Sequence, residues 1–372
     1  MPDAAHPALA GALLLLLMLP APTQAQRAPE PPPLRVGVVG LVHTHVHWIL
    51  GREDRGDIEI VGIVEPDRAL ARRYAEQHGY AMDLVYDTLE EMLDAAQPEA
   101  VTVFTSILDH RRVVEECAER GIHVMVEKPL AVSLEHARAM AAAARRGGIH
   151  LLTNYETTWY PSVHAAYARV AAGAVGPLRK IVVHDGHPGP REIGVNAEFL
   201  DWLTDPEQNG AGALMDFGCY GANLITWLMQ GQRPRSVTAV TQQIKPDVYP
   251  AVEDEATIIV TYPQAQGIIQ ASWNWPFNRK DMEVYGRTGY VHADDGTRLR
   301  VRTAGDEAEA RLTIDPLPAP HDDPFAYFAA VVRGDLEPGP DLSSLEINLI
   351  VMEILDAALR SARTGRTVYL AD

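Results

Sequence analysis

Basic residues are in short supply in this 372-residue chain: 32 Lys and Arg stand against 50 Asp and Glu, a formal net charge of -18. With no Lys/Arg-rich run to offset it, such a surface repels polyphosphate backbones, which argues against nucleic acid as a partner and for small-molecule work. Cysteine is scarcer still. Cys117 and Cys219 lie far apart, and a buried reduced thiol in each half is the expectation. Long apolar runs are missing too. The leucine-rich run from Ala8 to Leu19 is shorter than the roughly 20 residues that span a bilayer, so no stable membrane insertion is expected. Followed by Pro20 and by the small residues Thr23 and Ala25, that run reads as an export signal over residues 1–25, which sends the protein to the periplasm or outside the cell. No twin-arginine pair accompanies it. Residues 26–33, rich in proline, read as a stiff linker.

The length and a hydrophobic content of 47% point to two domains, divided here as 34–152 and 153–372. Leu34 to Val39, Ile58 to Val64, Ala100 to Thr105 and Ile122 to Val126 are near-continuous apolar runs of the kind that strands buried on both faces show. Amphipathic stretches lie between them, Arg68 to His78 and Arg111 to Arg120, the second closed by Gly121. This alternation predicts βαβ units and a parallel, Rossmann-like sheet.

The first turn of such a fold carries phosphate chemistry in the pattern G-x-G-x-x-G. Here it reads Gly40-Leu41-Val42-His43-Thr44-His45, with only the first glycine kept. Gly40, Val42 and His43 are the cofactor candidates in the turn, and Thr105, which closes the third run, is another. Glu65, about 25 residues on, stands where a carboxylate holds a ribose and favours NAD over NADP, with Arg68 close by; capping the next helix is its alternative role. His43 and His47 at i, i+4 have the spacing of paired metal ligands, against the alternative of histidines lining a cleft.

Downstream, His110, Gly121 and Glu127-Lys128-Pro129 follow the strand pattern, and Asn209 to Tyr220 forms a glycine-rich lead into Asp216-Phe217-Gly218-Cys219-Tyr220. Together these motifs resemble the Gfo/Idh/MocA family, the glucose-fructose oxidoreductase and inositol dehydrogenase relatives. The resemblance implies an α/β protein with an N-terminal Rossmann-like parallel sheet domain and a C-terminal α/β domain with an open antiparallel sheet. It also implies NAD or NADP as cofactor, a sugar or cyclitol as substrate, and a homo-oligomer. His110 and Glu127 join the cofactor candidates on this basis, and Pro129 is expected to follow a cis bond. Ser106-Ile107 departs from the family's usual Pro-Asn, and Tyr220 stands where a histidine is common.

Oxidising a carbinol needs a hydride acceptor, a base and a cation for the developing alkoxide. Lys128 is the candidate cation, and Tyr220 the candidate acid/base, its phenol lowered by a nearby ammonium. Asp216 would orient the substrate or pair with Lys128, with helix capping as the alternative. Tyr155, Trp159, His184 and His187 are candidates for holding substrate, together with Tyr160, Arg191 and Trp273; core packing is the commoner use of a tryptophan in a strand. Two other readings stay open: an exported carbohydrate lyase, hydrolase or epimerase, cofactor-free or metal-assisted, and a non-catalytic sugar-binding protein. Convergence of Lys128 and Tyr220 on one pocket is what the enzymatic readings require.

Overall fold

The structure, a computed structural model, describes Met1 and residues 32–370. The export-signal and linker readings fall almost wholly outside the described residues. Among the described residues no helix is long and apolar enough to cross a membrane.

Six strands build the first sheet: β1 (Leu34–Val39), β2 (Ile58–Val64), β3 (Val85–Tyr86), β4 (Ala100–Val103), β5 (His123–Glu127) and β6 (Leu151–Asn154). They pair in the order β3-β2-β1-β4-β5-β6, all parallel, the doubly wound order whose direction of travel reverses between β1 and β4. Val36, Val38, Val101, Val103, Val124 and Val126 are essentially inaccessible, which is why these runs read as continuous rather than alternating. Each such side chain contributes about 1.5–3 kcal/mol on burial. The helix Arg68–His78 starts on Asp67, whose side chain accepts from Ala69 N and Leu70 N, and stops at Gly79 in the left-handed region. Ser133 and Gly148 frame the helix Leu134–Gly147 in the same way. Because β6 runs to Asn154, the first sheet extends two residues past the expected boundary at 152.

The second sheet has nine strands: β7 (Leu178–Gly186), β8 (Ser236–Gln242), β9 (Glu255–Thr261), β10 (Gln266–Ser272), β11 (Arg279–Gly286), β12 (Gly289–Ala293), β13 (Arg298–Thr303), β14 (Ala310–Thr313) and β15 (Val368–Tyr369). Their order is β14-β13-β12-β11-β7-β10-β9-β8-β15, antiparallel except where β7 meets β10. One face is apolar and the other half-exposed, so β9 and β10 alternate residue by residue. Against the apolar face packs the helix Gly218–Leu228, in which every residue is buried, and behind it the helix Leu345–Thr364. That last helix also touches β6 and the helix Leu134–Gly147, so it bridges the two sheets.

Candidate active site

Lys128 follows β5 directly and is buried, with 5% of its surface exposed. Its ammonium donates to Asp216 Oδ1 at 2.5 Å and to Asp216 O at 3.1 Å. The Lys128–Pro129 peptide is cis. Asp216 ends a one-turn helix, Ala213–Asp216, whose start is pinned by Glu253 accepting from Gly212 N and Leu214 N. The other Asp216 oxygen accepts from Trp273 Nε1 at 2.9 Å. Asp216 is therefore a partner of Lys128 and not a helix cap: the helix Gly218–Leu228 begins at Phe217 without any side-chain cap. Among the described residues Lys128 forms no ion pair with Glu127 or Asp109. Burial lowers the Lys128 pKa, but Asp216 more than offsets it, and the ammonium is pushed up to about 12. Asp216 is held below the usual carboxylate value, its Lys128 pair outweighing burial.

Tyr220 lies in the first turn of the following helix, and its ring centre is 5.2 Å from Lys128 Nζ and 4.8 Å from Lys280 Nζ. Lys128 and Tyr220, from different lobes, thus converge. The expected lowering of the phenol does not occur. Burial pushes Tyr220 well above 10, and Glu156 and Asp185 add to the rise, so the group stays protonated. Lys280 on β11 pairs with Glu156. Directly across from Lys280 on β7 stands Asp185, 1% exposed, with neither carboxyl oxygen hydrogen-bonded among the described residues. Burial drives its pKa well up. Gly186 lets the backbone pass here: a Cβ on it would lie 1.9 Å from Ser272 O. Glu156, Tyr160, His187, Arg279, Lys280 and Arg298 line an adjoining cavity of about 540 Å³. His187 is neutral, lowered to about 4 by burial, and meets the Phe217 ring edge-on.

Other substrate candidates are committed elsewhere. Tyr155 is fully buried, its hydroxyl donates to Asn348 Oδ1 at 2.9 Å, and its ring meets Tyr220 edge-on, so it is a wall and not a substrate contact. Trp159 spends its indole N–H on Asn154 Oδ1 and packs beside Tyr327. Trp273 is core and holds Asp216. His184 has the wrong strand parity: Ile181, Val183 and Asp185 face the helices, whereas His184 points to the open face and pairs with Asp281 at 2.9 Å. Arg191 is exposed and offers its backbone N–H to Tyr249. Cys117 and Cys219 are both free and buried.

On the nucleotide side, Gly40 has φ +81°, and a Cβ on it would come within 2.7 Å of Thr105, so glycine is required for this turn. The rest of the turn is turned inward. Glu65 is buried and accepts from Leu41 N at 3.0 Å and Asp67 N at 2.9 Å, which leaves helix capping to Asp67. Arg68 is tied to Asp87 and Val85 O. The Thr105 hydroxyl donates to Ser106 O, and His110, wholly buried, faces Leu130 O. His43 is 1% exposed and lies against Phe199 and Trp202. The helix Ala197–Leu203 lies across this turn: Trp202 Nε1 donates to Val42 O at 3.4 Å, while Tyr74 donates to Glu198 and accepts from Asn196. His43 and His47 do not form a ligand pair, because His47 Nδ1 meets His78 Nε2 at 2.8 Å whereas His43 turns toward His45. In this conformation the bend at Gly40 is in place for a dinucleotide, the Glu65 carboxylate is held by Leu41 N and Asp67 N, and the helix Ala197–Leu203 lies against Val42 and His43.

Sequence reading missed Asp185, Lys280 and Glu156, and the Glu127 partner of His45. The strand parity of β7 carried the signal for Asp185, an acid among apolar inward positions. His45 sits beside Trp48 in a stack with ring centres 3.8 Å apart and meets Glu127 Oε2 at 2.9 Å. Nothing local marks Glu156 or Lys280, which meet across 124 residues.

Residues 34–155 match the oxidoreductase family with an NAD-binding Rossmann fold, and residues 163–292 match the Gfo/Idh/MocA C-terminal domain. The chain belongs to the Gfo/Idh/MocA family, whose members include sugar and cyclitol dehydrogenases and whose N-terminal domain binds NAD. It is 28% identical over 232 residues to the trans-1,2-dihydrobenzene-1,2-diol dehydrogenase of Bos taurus, a match covering 62% of this chain and 65% of that enzyme. It is 26% identical over 345 residues to the D-apiose dehydrogenase of Paraburkholderia graminis, covering 88% of this chain and 86% of that enzyme. Among solved structures, GenD2 from gentamicin A biosynthesis, in complex with NAD, superposes with a TM-score of 0.74 at 26% identity, over 92% of this chain and 97% of that one.

Proposed function

We propose that the protein interconverts a hydroxyl and a carbonyl on a sugar or cyclitol bound in the cavity beside Lys280, with NAD as the redox partner. The observation that carries this reading is the buried Lys128–Asp216 pair, 5.2 Å from the Tyr220 ring. When bound, NAD supplies the hydride acceptor. Lys128 stays cationic and steadies the alkoxide oxygen; it is no base at neutral pH. Asp216 and Trp273 aim the ammonium. Tyr220, a protonated phenol, hydrogen-bonds the carbonyl oxygen while keeping its own proton. Asp185, with a raised pKa, exchanges the hydroxyl proton. Arg279, Arg298 and the neutral His187 supply donors for further hydroxyls along the cavity.

In this reading NAD enters by lifting the helix Ala197–Leu203 off Val42 and His43, and Glu65 meets a ribose by giving up a bond to Leu41 N or Asp67 N. Export rests on the apolar run Ala8 to Leu19 and the small residues behind it, and a homo-oligomer on the half-exposed face of the second sheet, where Val240 is 68% exposed. A panel of aldoses, ketoses and cyclitols, followed by nicotinamide absorbance in both directions, tests the activity. NAD binding by titration with no turnover of any polyol would sink it.

A further inference from the structure

We infer that the imidazole Nε2–H of His43 donates a hydrogen bond to the pyrophosphate of the nucleotide, so that a side chain takes the part glycine backbone plays in other turns of this kind. The inference rests on the proposed use of NAD. Such turns hold pyrophosphate through backbone N–H groups that glycine lets come close, and through the N-terminus of the helix behind them. Little of that is on offer in this chain. Gly40 N donates to Val64 O at 2.9 Å, Leu41 N to Glu65 Oε2 at 3.0 Å and His43 N to Phe104 O at 3.0 Å, while His45 N is spent on His43 Nδ1 at 3.1 Å. Val42 stands where a second glycine would let phosphate approach. The helix that follows, Val46–Leu50, is 5 residues long, with a correspondingly small dipole.

His43 supplies a replacement. Because its Nδ1 accepts the His45 N–H, the lone pair is on Nδ1 and the proton on Nε2. That Nε2 is buried and finds no acceptor among the described residues, in a residue 1% exposed. An unpaired buried donor destabilises the resting fold, and an anionic oxygen is the acceptor that forms the strongest bond with it. The bond from His45 N also fixes the ring, so the donor is oriented before any ligand arrives. Phe199 meets the His43 ring edge-on at 4.9 Å, and Trp202 lies 5.6 Å from it. Both belong to the helix Ala197–Leu203, so the motion that admits NAD also uncovers His43.

Calorimetric titration of the full-length chain with NAD, ADP-ribose and adenosine tests this without turnover. His43→Asn keeps an acceptor for His45 N and removes the far donor, whereas His43→Gln puts an amide N–H close to the place of Nε2. Loss of one charge-assisted bond predicts NAD and ADP-ribose binding weaker by at least about 10-fold in His43→Asn. Adenosine, which has no phosphate, should change by less than about twofold, and His43→Gln should bind NAD within about threefold of the unaltered chain. NAD bound as tightly by His43→Asn as by the unaltered chain, or an equal loss in both variants, overturns the inference and leaves the redox reading standing. An unaltered chain that takes up no NAD overturns both. Should His43→Asn fail to fold, as judged by its melting transition, magnetic resonance of the unaltered chain with isotope-labelled histidine nitrogen decides. A buried imidazole proton that shifts with ADP-ribose but not with adenosine is expected; no such shift overturns the donor.

Discussion

The turn after β1 and the cavity beside Lys280 treat their carboxyl groups in opposite ways. In the turn, Glu65 is saturated by Leu41 N and Asp67 N, and Trp202 covers Val42 O. Around the cavity, Lys280, Arg279 and His187 line open volume, and Asp185 keeps both oxygens without a hydrogen bond among the described residues. A buried carboxylate that is already satisfied is at rest without a ligand, whereas a buried carboxyl left unmatched is arranged for chemistry. In the proposed reading the cavity half is preformed, and the helix Ala197–Leu203 lies against Val42 and His43 of the turn that would meet the nucleotide.

The sharpest way to break the comparison is Lys128→Ala. It strands a buried Asp216 carboxylate, and we expect a loss of about 3–5 kcal/mol in denaturant unfolding together with a fall in turnover of about 10²–10⁴-fold. Adding Asp216→Asn should restore most of the stability and none of the turnover. A double variant as unstable as the single one would show that the pair matters for packing alone.

Acid sensitivity comes next. His110 and His187 are both lowered to about 4, chiefly by burial. A histidine whose folded value lies below its unfolded value contributes fully above about pH 6.5, and that contribution is lost as pH falls toward the folded value. Each therefore costs up to about 1.4 kcal/mol per pH unit across that window. Urea midpoints from pH 7 down to 4.5 should fall, and His187→Gln should flatten the slope; an unchanged slope contradicts the buried neutral ring.

A smaller effect tests the closed turn. Glu198→Ala removes the ties to Tyr74 and Arg73 that hold the helix Ala197–Leu203 down. Losing one or two hydrogen bonds worth about 0.5–1.5 kcal/mol each should tighten NAD binding about 5- to 10-fold by fluorescence titration. Weaker binding in that variant would mean that the helix grips the nucleotide. At the low end, His184→Ala, on the open sheet face, should change turnover by less than about twofold; a larger loss would bring that face into the site.

Much of this was legible before any coordinates. Continuous apolar runs marked the parallel strands because burial on both faces leaves no alternation, and Gly40 marked the bend because only glycine fits beside Thr105 at φ +81°. Lys128 stood out by its neighbours. What sequence could not supply was distance: Asp216 reaches Lys128 across 88 residues, and the helix Ala197–Leu203 reaches the turn across about 160. The direction of the Tyr220 shift was misread for the same reason. Lys128 was counted as its neighbour, but the depth of the pocket and the acids Glu156 and Asp185 were not visible in a linear pattern.

One carboxylate has mechanical as well as chemical weight. Asp216 grips Lys128 of the first lobe with one oxygen and Trp273, just past β10, with the other. Prising the lobes apart would drag a buried ammonium away from its counter-ion, so the pair resists opening between them. Arg279 and Arg298 in the cavity wall are paired with Asp281 and Asp295, and Glu156 and Asp294 line it as well, so the cavity should take neutral polyols in preference to anionic sugars.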